Sequence, residues 1–125
     1  MQRFPVAVAL LLGAATGASA ADSLYPAAQC AAYWLGRDDA ARHSAFLDAD
    51  ADDRARADAY AAVAVRSNGG DAGAIKDFIR RERPDMARLV RAAILGDPTS
   101  VAVQERLLQT CADYAATQPE TRDLP

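Results

Sequence analysis

Hydrophobic positions in this chain recur at helical spacing from residue 27 onward, and no stretch shows the sustained alternation of a β-strand. Ala27, Cys30, Ala31, Trp34 and Leu35 form one apolar stripe, entered through Ser23 to Pro26, with Pro26 suited to a first helical turn. Tyr33 falls off that stripe and is expected to be exposed. Gly36 and Asp38-Asp39 weaken the first helix, and whether it extends past Gly36 through Ala41, Ala45 and Phe46 is left open.

A second helix is expected from Asp50–Asp53 to Arg66, with acidic residues at its front and a cation at its back, as the helix dipole favours. Its inward positions read as Ala55, Ala59, Ala62, Val63 and Tyr60. Asn68-Gly69-Gly70 is a stop signal, because Asn and Gly tolerate the left-handed cap. Asp71 can cap a third helix carrying Ile75, Phe78 and Ile79. Arg83 precedes Pro84 and is biased away from helix, so a break or kink is expected there.

A fourth helix would then start at Pro84, bury Met86, Leu89, Val90, Ala93 and Ile94, and end at Gly96. Asp97-Pro98 opens a fifth, with Val101, Gln104, Leu107, Leu108, Cys111, Tyr114 and Ala115 inward. The pattern predicts an all-α fold, a small bundle of four to five helices closed by one disulfide. The domain spans residues 21–117, and the polar tail 118–125 is expected to be flexible.

Residues 1–20 read as a cleaved signal peptide. Arg3 precedes an apolar run from Val6 to Ala15, and Ala18-Ser19-Ala20 supplies the small residues at a cleavage site. The run is too short and too interrupted for a spanning helix, so a periplasmic or secreted protein is expected, with no membrane attachment after cleavage. In that compartment the only two cysteines, Cys30 and Cys111, most simply pair. Closing so long a loop contributes about 4.5 kcal/mol in the chain-entropy model. That matters here, because 31 of the 125 residues are Ala and aromatics are only 6%.

Chemistry-bearing residues are sparse. The lone His43 and the absence of G-x-S-x-G, H-E-x-x-H or a phosphate-cradling loop leave no catalytic set, so no enzymatic activity is expected. Alternate carboxylates at Asp48, Asp50 and Asp52 resemble a calcium loop in spacing. The positions where such a loop needs Gly and a bidentate Glu are Asp53 and Ala59. His43 and Met86 are the internal candidates for haem ligands, without C-x-x-C-H. No cofactor is therefore expected, and an ion- or haem-binding bundle stands as a subsidiary reading.

Charge adds a binding hypothesis. Without its leader the chain carries 17 acidic and 13 basic side chains, a net −4 that argues against a nucleic-acid partner. Yet residues 76–91 hold six basic and three acidic groups. Lys76, Arg80 and Arg83 share a helical face, and Arg88 and Arg91 continue at a spacing of three. Guanidiniums suit carboxylate and phosphate, so this face of the third and fourth helices is the candidate contact surface for an acidic protein or a small anion. The plain alternative is intrahelical pairing, Asp77 with Arg81 and Asp85 with Arg88. The expected function is a non-enzymatic binding or interaction module.

The leader, Cys30 beside Tyr33-Trp34-Leu35-Gly36, and the basic stretch Phe78-Ile79-Arg80-Arg81-Glu82-Arg83-Pro84 loosely resemble small helical, disulfide-bonded periplasmic immunity proteins. That resemblance implies an inhibitor directed at a secreted toxin or enzyme, as an alternative to the general binding module.

Overall fold

The computed structural model describes residues 24–125, so the expected signal peptide lies outside the described residues. A helical turn at Leu24–Ala28, with a cis Tyr25–Pro26 peptide, leads into α1 (Gln29–Arg42). Three longer helices follow: α2 (Asp52–Ser67), α3 (Ala72–Ile94) and α4 (Pro98–Ala115). The fold is an all-α bundle with no strand among the described residues.

Local signals account for most boundaries. Gly69 and Gly70 end α2 with positive φ, and the Gly70 amide donates to the Val65 carbonyl at 2.9 Å. The Asp71 carboxylate caps α3 by accepting from the Ala74 amide, and Asp97 caps α4 through Ser100. Pro98 occupies the first turn of α4, where a missing amide proton costs nothing.

The expected break at Pro84 does not occur. Residues 72–94 form one helix, so the bundle has four long helices among the described residues. Pro84 lies on the exposed side of α3, where water can take the carbonyl its ring leaves unbonded. Ile75, Phe78, Met86, Ala87 and Val90 carry one buried stripe across it, and their packing holds the two halves in register.

α1 runs through the middle of the bundle. Cys30, Ala31, Ala32, Tyr33, Gly36, Asp38, Ala40 and Ala41 are all buried, on more than one side of the helix. Two apolar clusters result. One joins Cys30, Tyr33, Tyr60, Met86, Val90, Leu107 and Cys111, and the other joins Ala27, Ala28, Val63, Ala64, Ile75 and Phe78. The Cys30–Cys111 disulfide ties α1 to α4 across a Cα separation of 5.9 Å, making the first and last helices neighbours.

Three sequence-based expectations need correcting. Tyr33 is buried, because α1 is enclosed on several sides and a single stripe does not describe it. On α2 the buried residues are Asp53, Ala57, Tyr60, Val63 and Ala64, whereas Ala55 and Ala62 are exposed. Alanine carries too little apolar area to set a helix's rotation, so Tyr60 and Val63 set it. Finally, residues 118–125 pack back on the bundle. Thr121 is buried and donates to the Ala115 carbonyl at 2.9 Å, Leu124 rests on the larger cluster, and Arg56 donates to the Pro125 carbonyl at 3.1 Å.

Candidate functional site

Because α3 is continuous, one helix carries all six cations of residues 76–91. At 3.6 residues per turn, Lys76, Arg80, Arg83 and Arg91 fall on one side, and Arg81 and Arg88 lie roughly 100° round the helix. These six residues do not share one fate. Arg83 turns inward to α1, where its Nε and Nη2 donate to the two oxygens of Asp39 at 2.6 and 2.7 Å. This two-pronged bond raises the guanidinium pKa above its ordinary value and fastens α3 to α1. Arg83 is thus a structural clamp, and the part of the five-residue candidate set that is free to meet a partner is narrower than the sequence reading.

Arg80 and Arg88 pair with the exposed carboxylates Asp77 and Asp85, each three residues earlier. The expected Asp85–Arg88 pair is present, while Asp77 takes Arg80 rather than Arg81. Lys76, Arg81 and Arg91 are exposed and form no ion pair among the described residues.

The acidic run turns toward guanidiniums. Asp50 accepts from the Asp52 amide and from Arg56, which together hold its carboxyl below the ordinary range. Asp53 is fully buried and accepts from both Arg37 and Arg56. No group of three potential metal ligands occurs among the described residues. Met86 is buried in the core, while His43 is exposed on the loop beyond α1.

A cleft of about 600 Å³ opens between α1, α2, α4 and the C-terminal segment, lined by Trp34, Arg37, Arg56, Tyr60 and Leu124 among others. The Arg56 guanidinium lies 4.8 Å from the centre of the Trp34 ring, which meets Tyr33 edge-on at 5.1 Å. Trp34 is partly buried and rests on the cluster containing the disulfide, as its spacing predicts. Its Nε1 is buried without a hydrogen-bond partner. Arg37 and Arg56 are committed to Asp50 and Asp53 in a folded ion network, and Arg122, on the cleft's outer edge, is the lining cation without an ion pair among the described residues. Sequence reading missed that network, although Asp50, Asp53 and Arg56 at intervals of three are its local trace.

A smaller pocket of about 170 Å³ sits between the loop after α1 and the end of α3. Its lining is His43, Ser44, Ala45, Phe46, Arg91, Ile94 and Leu95.

Comparison of the chain with family models, curated proteins and solved structures returned no match.

Proposed function

We propose that this protein is a non-enzymatic binding module that receives an acidic protein along the outer face of α3, acting in the periplasm or outside the cell. One observation carries the reading: Lys76, Arg81 and Arg91 are exposed cations with no carboxylate partner among the described residues, on a helix that also displays Arg80 and Arg88. The pairs made by Arg80 and Arg88 are themselves exposed, and such pairs are worth at most about 1 kcal/mol. A partner's carboxylates can therefore compete for them. Lys76 to Arg91 spans about 22 Å of helix, a length that suits an extended protein surface better than a small anion. The compartment is supported by the leader-like N-terminus and by the disulfide, since such bonds persist where the milieu is oxidising.

The test is binding of a glutamate-rich peptide by calorimetry at low and moderate salt. Lys76→Glu with Arg80→Glu is expected to weaken binding at least tenfold with an unchanged far-ultraviolet circular dichroism spectrum, and added salt is expected to weaken the native complex. Equal binding by the native protein and the double variant would overturn the reading.

A further inference from the structure

The pocket at the end of α3 has features that a merely solvated helix terminus does not need. Phe46 and Leu95 stand on its rim, 81% and 78% exposed. Isolated exposed apolar residues are ordinary, but two large ones flanking one concavity make a patch. Both are held on ordered backbone. The His43 and Ser44 amides donate to the Ala40 and Ala41 carbonyls, and the Phe46 amide donates to the Ser44 hydroxyl at 3.0 Å. On the other side, Leu95 donates to the Arg91 carbonyl, and Gly96 ends the helix with a φ of 86°.

The charge of the lining has one sign, because Arg91 is its one charged side chain, beside His43 and Ser44, and it holds no carboxylate. Arg91 also belongs to the cationic side of α3, so the pocket lies at the end of that row. Its volume of about 170 Å³ is below the roughly 300–1,000 Å³ of ordinary small-molecule sites, and suits one side chain of a partner.

We propose that this pocket is the anchor site of the binding face: the acidic partner inserts an aromatic or leucine side chain between Phe46, Ile94 and Leu95 while its flanking carboxylates meet Arg91 and the α3 cations. The inference rests on the reading of α3 given above and adds the chemistry of the partner's contact residue. A second copy of this chain is the poorer occupant, because a symmetric pairing through this pocket brings two Arg91 side chains and no lining carboxylate into one small interface.

Two probes test it, a glutamate-rich peptide with one central phenylalanine and the same peptide with alanine there. The phenylalanine peptide is expected to bind the native protein about tenfold more tightly, as burial of one aromatic side chain implies. The Phe46→Ser/Leu95→Ser variant is expected to lose that preference while still binding the alanine peptide. Both positions are exposed, so folding is expected to be retained, and circular dichroism checks this. Equal affinity for the two peptides, with binding still weakened by Lys76→Glu/Arg80→Glu, would overturn the anchor and leave the α3 reading standing. Failure of both peptides to bind would overturn both. A phenylalanine preference that survives replacement of the peptide's glutamates by serine would remove the acidic character of the partner. Self-association abolished by Phe46→Ser/Leu95→Ser would assign the pocket to a second copy and overturn the proposal.

Discussion

Gly36 of α1 and Met86 of α3 meet where the two helices cross: a Cβ on Gly36 would lie 2.6 Å from the Met86 Cβ and 2.7 Å from the Ala87 amide nitrogen. No ordinary carbon contact is that short, so the missing side chain is what lets the backbones approach. Glycine within a helix costs about 0.5–1 kcal/mol relative to alanine. Here that cost is offset by the packing of α1 on α3.

Gly36→Ala is accordingly expected to destabilise the fold despite alanine's better helix propensity. Overpacking typically costs about 1–3 kcal/mol, and the obstructing atoms here include backbone, which cannot simply rotate away. A net loss of about 2 kcal/mol in urea unfolding is the expected outcome. Gly73→Ala is the control, since the nearest atom to a Cβ there is an Asp71 oxygen at an ordinary 3.5 Å. It is expected to be neutral or slightly stabilising.

Two of the three ion pairs made by α3 face different surroundings and are expected to differ in worth. A double-mutant cycle on Arg83→Gln and Asp39→Asn is expected to give a coupling of about 1 kcal/mol, because the bond is two-pronged and partly shielded. The same cycle on Arg80→Gln and Asp77→Asn is expected to give about 0.3 kcal/mol, typical of an exposed intrahelical pair. Equal couplings would remove the distinction between clamp and contact surface.

Stability is expected to fall toward both ends of the pH scale. Burial opposes ionisation of Asp38, but its bonds with Arg42 and the charges of Arg42 and Arg54 outweigh that and hold its carboxyl below the ordinary value. Asp97 is held low by its hydrogen bonds from Ser100, and Asp50 by the Asp52 amide and Arg56. For such carboxylates the stabilisation is present above the unfolded pKa, near about 4, and is lost as pH falls through the lower folded values. At the alkaline end, burial pushes the Tyr33 phenol up to about 12 and raises Tyr60 as well. Their contribution is complete below the unfolded pKa, near about 10, and is lost as pH rises through the folded values. Melting temperature measured against pH should show a plateau with both shoulders. A curve flat to pH 2 would contradict the carboxylate assignments.

Part of the candidate surface was legible in the sequence, because Lys76, Arg80 and Arg91 recur at helical spacing whatever they touch. The role of Arg83 was not, since its partner Asp39 lies on another helix. The same limit hid the small pocket at the end of α3, which joins Phe46 in the loop after α1 to Leu95 just past α3 and leaves no local pattern.

Helices, caps and stops follow from interactions within a few residues, and so the sequence alone determined them: Asp71 and Asp97 as caps, Asn68-Gly69-Gly70 as a terminator, and the inward face of α4. The pairing of Cys30 with Cys111 was also determined there, because two cysteines allow only one intramolecular bond. Tertiary structure decided what depends on distant neighbours. Packing of the stripe Ile75 to Val90 carried α3 through Pro84, enclosure of α1 buried Tyr33, and contacts from α2 and α4 folded back residues 118–125. Local propensity is worth a few tenths to about one kcal/mol for an ordinary residue and about 3 kcal/mol for a proline inside a helix, whereas the buried stripe of α3 contains several large side chains, each worth about 1.5–3 kcal/mol. Where the two disagreed, burial prevailed.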